Sequence, residues 1–324
     1  MDSPRLYYKF SDYLKTRYGS KVYKLPVNIP VTCPNRDGRL GTGGCIFCGE
    51  EGAGFENLPN YLPVREQLER NANYIGENYK SRKFIAYFQN YSNTYLPLDR
   101  FKKYVLEACA ENVVAIYIST RPDCINDSYL EFLAQVKAER NVDMVVELGL
   151  QTVNYHTLKF LRRGHLLAEF IDAVLRLKRF GIECCAHYIV DLPMDTMEDV
   201  VEGARILSAL GVEQIKCHSL FVLENTLLGE MYKKGEIQPV SMEEYIERLI
   251  TFLEYLNPEM VIQRLLGRAP EERSLFCNWN TSWWKIRDRL EEKMAAEGRV
   301  QGRRFNYLNA AGCLPSCEKT NKRV

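Results

Sequence analysis

Leu25-Pro-Val-Asn-Ile-Pro-Val-Thr-Cys33-Pro-Asn-Arg-Asp-Gly-Arg-Leu-Gly-Thr-Gly-Gly-Cys45-Ile-Phe-Cys48-Gly49 passes from an apolar, β-branched run into a loop with three cysteines among five glycines. Residues 25–32 read as a strand, and the glycines let the following backbone wrap closely around something compact. Three soft thiolates suit either zinc or an iron–sulfur cluster. A structural zinc site wants four protein ligands, often as paired C-x2-C elements. Here the nearest histidine in sequence is His156, and the next cysteine, Cys109, sits in a helical pattern. Three thiolates leave one metal position open, which is what a reactive cluster needs. The loop also follows a strand at the end of a βα sheet where active sites gather.

Outward from this loop, β-rich runs at 83–88, 113–119, 143–150, 183–190 and 214–222 alternate with helical spacing. Helices are expected from Asp99 to Asn112, from Asn126 or Asp127 to Arg140, over 168–180 before Gly181, and over 196–210 before Gly211. Six β units in βα order predict a parallel sheet: an α/β fold, a partial (βα)6 barrel that six units cannot close. Residues 223–324 change character, with amphipathic helices at 241–257 and 281–297 and a basic, irregular tail. The chain thus divides into a basic, Tyr-rich N-terminal extension (1–24), the partial barrel (25–222) and a C-terminal helical cap and tail (223–324).

Composition is that of a globular chain, with 46% hydrophobic and 26% charged residues, so extensive disorder is not expected. Net charge is +1, so any nucleic-acid surface must come from local charge separation. No apolar run is long enough for a membrane-spanning helix, and the N-terminus lacks the plan of a secretory signal. The expected location is cytoplasmic, where disulfides are a poor explanation for eleven cysteines. Cys109, Cys184, Cys185 and Cys217 read as small buried apolar side chains.

The run from Cys33-Pro-Asn-Arg-Asp-Gly38 to Gly43-Gly-Cys45-Ile-Phe-Cys48 resembles the cluster loop of radical S-adenosylmethionine (SAM) enzymes. Within them it resembles the bacterial YhcC/YtqA group, related to the elongator catalytic subunit, over most of the chain. The resemblance implies a [4Fe–4S] cluster on Cys33, Cys45 and Cys48, with SAM bound at the open iron. Reductive cleavage of SAM then yields a 5′-deoxyadenosyl radical that abstracts hydrogen from a substrate. The cofactor carries this chemistry while the protein binds, orients and shields.

Further motifs fall in order. Strand alternation puts Glu147, Gly149 and Gln151 of Glu147-Leu-Gly-Leu-Gln151 on one face, pointing into the barrel, where burial demands partners. The resemblance assigns Gln151 and Glu147 to the SAM ribose region; a structural hydrogen-bond network is the alternative. In Leu161-Arg-Arg-Gly-His165, Arg163 stands where related enzymes pair an arginine with the SAM carboxylate, a task suited to guanidinium. The alternative is a solvated helix end, and His165 reads as structural. Gln89-Asn-Tyr-Ser-Asn-Thr-Tyr95 occupies the place of a Gly-Gly-Glu-like motif for the SAM amino group but lacks its glycines; Gln89, and Phe47 beside Cys48, complete the expected SAM-binding set. Ser119-Thr-Arg-Pro-Asp123 lines the pocket or forms a proline turn. The fifth strand puts Cys185, His187, Ile189 and Asp191 on one face, and the sixth does so for Lys216, His218, Leu220 and Val222. His187, Lys216 and His218 are candidates for substrate contact or proton transfer, against the alternative of satisfied core side chains. Leu192-Pro-Met-Asp195 resembles a turn near the adenine, with Asp191 in place of the usual glycine.

Arg5, Lys9, Lys15, Arg17, Lys21 and Lys24 interleave with Tyr7, Tyr8, Tyr13, Tyr18 and Tyr23, and Arg299, Arg303, Arg304, Lys319, Lys322 and Arg323 follow in the tail. Cations neutralise phosphates and aromatic faces stack on unpaired bases. An ordinary helix and an irregular tail are the plainer reading. The resemblance implies tRNA as partner, with a wobble-uridine C5 carboxymethylaminomethyl group converted to aminomethyl, and an electron donor such as flavodoxin or ferredoxin. The elongator-like acetyltransferase domain is not expected, because too few residues follow the sixth strand. Cys313-Leu-Pro-Ser-Cys317 is expected to be functionless. Two alternatives stand beside the tRNA reading: a radical SAM enzyme acting on a small metabolite or protein, and a zinc-stabilised RNA-binding module without catalysis.

Overall fold

The structure is a computed structural model describing residues 5–50, 52, 54, 57–79 and 81–310. In chain order its elements are α1 (Phe10–Tyr18), β1 (Val22–Val27), α2 (Val64–Tyr79), β2 (Lys83–Phe88), α3 (Leu98–Glu107), β3 (Val113–Thr120) and α4 (Asp127–Arg140). There follow β4 (Asp143–Gln151), α5 (Tyr155–Phe160), α6 (Leu167–Arg179), β5 (Glu183–Ile189), α7 (Met197–Ala209) and β6 (Gln214–His218). The remainder is β7 (Phe221–Leu223), α8 (Leu227–Lys233), α9 (Met242–Tyr255), β8 (Val261–Arg264), β9 (Ser274–Cys277) and α10 (Trp283–Ala296).

Seven strands pair in parallel in the order β1-β2-β3-β4-β5-β6-β8, a curled half-barrel with helices outside, which agrees with the expected α/β partial barrel. Three details differ from the sequence reading, the first being that the run 214–222 ends as β6 at His218, while Phe221–Leu223 pairs antiparallel with β9 in a separate two-stranded sheet. The first strand begins at Val22 and ends at Val27, where the Asn28 N–H leaves the ladder to donate to Gln67 Oε1 at 2.8 Å. Pro26 is tolerated because β1 is an edge strand. A seventh strand, β8, comes from the region read as a helical cap and sets Val261 beside Gln214 and Ile262 beside Ile215.

Helices start where side chains cap them. Asn126 accepts from the Ser128 N–H, Thr196 and Asp199 cap each other's backbone, and Ser241 accepts from the Glu244 N–H. The inner strands are buried almost continuously, as a sheet covered on both faces requires, with successive side chains packing on opposite faces. Phe84, Ala86 and Phe88 pack under the helices, while Ile85 and Tyr87 face inward with Ala115, Tyr117, Val145 and Cys185. Leu14, Phe10, Tyr13 and Tyr18 join that inner cluster, so α1 plugs the barrel beneath the site.

The N-terminal stretch read as a basic extension is consequently built into the barrel. Arg17 and Tyr18 bind Asp143, Tyr13 donates to Glu183, Tyr7 is buried and donates to Glu291, and Lys24 lies inside. At the other end Arg299, with 8% of its surface exposed, pairs with the fully buried Glu254 at 2.8 Å and with Glu247 at 2.7 Å. Arg303 and Arg304 stand 3.6 Å from the same Glu254. These arginines serve an internal acid, which is why they do not form a free basic tail. Cys313, Cys317, Lys319, Lys322 and Arg323 lie outside the described residues. Among the described residues no helix is long and apolar enough to cross a membrane.

Candidate active site

The cysteine loop is held at many points. Within it Arg36 N–H donates to Cys33 O, Gly44 N–H to Asn35 O and Cys48 N–H to Cys45 O. Ile46 fixes it to the rest of the molecule: its N–H donates to Leu161 O, and its carbonyl accepts from Leu228 N–H at the start of α8. Ile46 and Phe47 also pack with Leu161, Leu220, Val222 and Leu228. Gly44 adopts φ +77°, and a Cβ there would come within 3.2 Å of the Arg36 guanidinium.

All three loop thiols are free and line one cavity of about 1260 Å³. Each has a cation beside it. Arg163 Nη1 is 3.3 Å from Cys45 Sγ, Arg121 Nη1 is 4.0 Å from Cys33 Sγ, and Arg36 bonds at Cys48. Asn35 Nδ2 adds a donor 3.4 Å from Cys45 Sγ. Burial, with Cys45 beside it, pushes the Cys48 thiol up, and Arg36 opposes that shift. Among the described residues no three His, Cys, Asp or Glu side chains converge as a single metal ion would require. The donor set fits a cluster, whose thiolate ligands stand at separate corners, with cations and amide donors ready for its sulfurs.

Phe47, Gln89, Gln151 and Arg163 all line the cavity. Arg163 is buried; Nη2 donates to Gly149 O at 2.9 Å and meets His165 Nε2 at 2.9 Å, while among the described residues Nε has no hydrogen-bond partner. Burial and the neighbouring Arg163 and Arg121 push the His165 pKa down to about 2, so its ring is neutral. The strand alternation breaks at a bulge between Gly149 and Gln151, where Gln151 has φ +75°. A Cβ on Gly149 would meet Arg163 Nη2 at 2.9 Å and Gln151 Nε2 at 3.0 Å, so any larger residue would displace these two side-chain ends. Arg121 of the Ser119–Asp123 segment is bidentate to Asp123 and donates to Arg163 O at 2.6 Å, tying the end of β3 to the loop after α5.

Glu147 lies deeper, fully buried, at the centre of an ionic network. Lys24 Nζ reaches Oε1 at 2.7 Å; Lys216 Nζ and His187 Nε2 reach Oε2 at 2.5 and 2.8 Å, and Ser119 Oγ at 3.3 Å. Burial alone would raise this carboxyl, but Lys216, Lys24 and His187 hold it well below its ordinary value. Burial lowers Lys24 to about 8 against the pull of Glu147, and His187 to about 4. The structure thus brings Glu147, His187, Lys216 and His218 together. It does not bring Asp191 to the cavity: its Oδ1 accepts from Leu220 N–H at 2.7 Å at the strand ends.

Five lysines (Lys9, Lys15, Lys21, Lys24, Lys216) and six arginines (Arg36, Arg121, Arg163, Arg264, Arg268, Arg287) line the cavity, against the acids Asp12 and Glu147. At its rim the half-exposed Trp283 has the Arg268 and Arg287 guanidinium carbons 4.4 and 5.3 Å from its ring centroid. Exposed Trp284 carries Lys285 at 5.4 Å. Sequence reasoning missed Arg36, Gln263, Arg264, Arg268, Trp283 and Arg287 as cavity residues. The usable signal was the apolar pair Val261-Ile262 followed by two polar residues, a strand entering the barrel.

A family model described as the Radical SAM superfamily matches residues 27–207, and one described as the Radical_SAM C-terminal domain matches residues 212–296. The chain is 32% identical to protein YtqA of Bacillus subtilis, over 97% of each chain. It is 30% identical to the tRNA uridine(34) acetyltransferase of Methanocaldococcus jannaschii, over 48% of this chain and 28% of that one. Its fold is similar to that of the archaeal Methanocaldococcus infernus Elp3 with an N-terminal deletion, with a TM-score of 0.65 at 18% identity, covering 87% of this chain and 64% of the other. With a family model spanning more than half its length, the chain belongs to the radical SAM superfamily, enzymes that use a [4Fe–4S] cluster and SAM.

Proposed function

We propose that this radical SAM enzyme acts on tRNA, converting the C5 carboxymethylaminomethyl group of a wobble uridine to aminomethyl. The observation that carries the reading is the cavity's charge: eleven Lys and Arg side chains against two acids, in a chain of net charge +1. A polyanion is the partner such a lining suits. The rim adds Trp283 between Arg268 and Arg287, a stacking face with phosphate donors. Similarity to a tRNA uridine(34) acetyltransferase over about half the chain supports the same substrate class.

In this proposal Cys33, Cys45 and Cys48 would hold the cluster, and Phe47, Gln89, Gln151 and Arg163 would surround SAM. When bound, the cluster and SAM supply one-electron cleavage of the sulfonium and a radical able to take a substrate hydrogen. The hydrogen would be lost from the carboxymethyl CH2; loss of a second electron, taken up by the cluster, and of a proton would leave an imine that water splits into the aminomethyl amine and glyoxylate. The chain's own part is to orient the substrate and exclude water, with Glu147 as the counter-charge of the cavity floor rather than a ribose contact. Reduction would come from a small donor such as flavodoxin or ferredoxin.

Nucleoside mass spectrometry of tRNA from cells lacking the protein tests this. The aminomethyl nucleoside should fall and its carboxymethylaminomethyl precursor accumulate; an unchanged profile would rule the substrate out.

A further inference from the structure

The floor of the cavity holds more buried positive charge than the described residues neutralise. Lys24, Lys216 and Arg264 stand around one carboxylate, Glu147, whose two oxygens are already taken by the lysines and His187. Among the described residues Arg264 makes no ion pair with an acid, and its buried Nε has no hydrogen-bond partner. A guanidinium taken from water costs free energy unless it is paired and bonded.

The histidines do not supply the missing negative charge, and their bonding order follows from Glu147. The carboxylate only accepts, so His187 Nε2 must donate to it. A neutral His187 then has Nδ1 as acceptor, and His218 Nε2 donates to it at 3.2 Å. Arg264 Nη2 stands 2.7 Å from His218 Nδ1 and 3.0 Å from its Nε2, so it lies against the ring, and Nδ1 is the nitrogen left to accept. Each link fixes the tautomer of the next. The relay holds the guanidinium in place with one N–H, and the others remain for a ligand. Lys24 and Lys216 are each committed twice, to Glu147 and to Gln263 or Tyr87, which leaves one ammonium N–H on each.

We infer that Arg264, held by His218 and flanked by Lys24 and Lys216, binds an anionic substituent of the substrate, and that this substituent is a carboxylate. The identity of the carboxylate rests on the tRNA reading: it is the one the carboxymethylaminomethyl side chain carries and the product lacks. A floor of net positive charge then binds substrate through its carboxylate and repels the aminomethyl ammonium of the product. Arg264 is thereby a specificity residue that separates substrate from product.

The test uses anaerobically purified holoenzyme and anticodon stem–loop RNAs with either carboxymethylaminomethyl or aminomethyl at the wobble position. Wild type should bind the carboxylate-bearing RNA about ten- to a hundredfold more tightly, as a charge-assisted buried pair would give. Arg264→Gln should bind both RNAs alike, and Arg264→Lys should keep part of the preference. A preference absent from wild type, or intact in Arg264→Gln, overturns the inference. If neither RNA binds, the tRNA reading fails, and small anions decide the site by themselves. N-methylglycine should raise the Tm of wild type and of Arg264→Lys but not of Arg264→Gln. Equal shifts in wild type and Arg264→Gln, or a shift with inorganic phosphate alone, would reject a carboxylate site.

Discussion

Lys24, on the edge strand β1, crosses the barrel interior to place its ammonium 2.7 Å from Oε1 of Glu147 on the central strand β4. Residues 123 positions apart therefore share one buried charge pair, and the network around it holds both sides of the half-barrel together. Glu147→Gln would leave Lys24 and Lys216 facing each other without their carboxylate. Stability should fall by about 3–5 kcal/mol, read as a lower denaturant midpoint. Lys24→Met, which removes one of the crowded cations, should cost less. The reverse order of the two losses would mean that the ammonium, not the carboxylate, dominates.

Cys45 and Cys184 are both buried free thiols, but only Cys45 lies on the cavity. Anaerobic wild type should carry about four irons and four sulfides per chain. Cys45→Ala should lose them together with reductive cleavage of SAM to 5′-deoxyadenosine. Cys184→Ala should keep both and melt slightly lower. Continued 5′-deoxyadenosine formation by Cys45→Ala would remove that residue from the ligand set.

The rim tryptophan is exposed while Ile286, Leu290 and Met294 of the same helix face the core. Trp283→Ala should weaken tRNA binding by about 1–3 kcal/mol, the worth of one stacked base, without moving Tm. Arg268→Ala should lower the slope of log K against log salt by about one. Unchanged affinity in filter binding by both variants would place the RNA elsewhere.

Burial pushes the Asp191 carboxyl up to about 7, against the pull of the Leu220 N–H. The folded chain then keeps a proton that the unfolded chain releases at its ordinary value of 3.8. Its contribution to stability is full at lower pH and is lost as pH rises toward 7 and beyond. Asp191→Asn cannot ionise, so it should melt higher than wild type at pH 8, by on the order of 2–4 kcal/mol, and match it near pH 4. Parallel Tm–pH curves for the two proteins would exclude this carboxyl as the cause.

The inner strands of the barrel were readable because parallel strands covered on both faces are nearly continuous apolar runs, as in Val113–Thr120. β8 was not, because four residues carry too little pattern and its neighbour β6 lies far back in the chain. Arg264 was lost with it. Cys33, Cys45 and Cys48 stood out by their spacing among glycines, and the fold sets all three on one cavity. Lys24 and Arg299 were instead grouped with surface cations, because a basic residue beside tyrosines looks the same whether its acid is a distant buried glutamate or a phosphate. Only the folded register reveals Glu147 and Glu254 as their partners.

Ile46 sits between two of the loop thiols, and its carbonyl is satisfied by the amide of Leu228, a residue made much later in synthesis. A nascent chain that has produced all three cysteines therefore still lacks the peg that seats them. A truncation before α8 would keep the bond from Ile46 N–H to Leu161 but strip the partner from the Ile46 carbonyl, loosening the segment that carries Cys45 and Cys48.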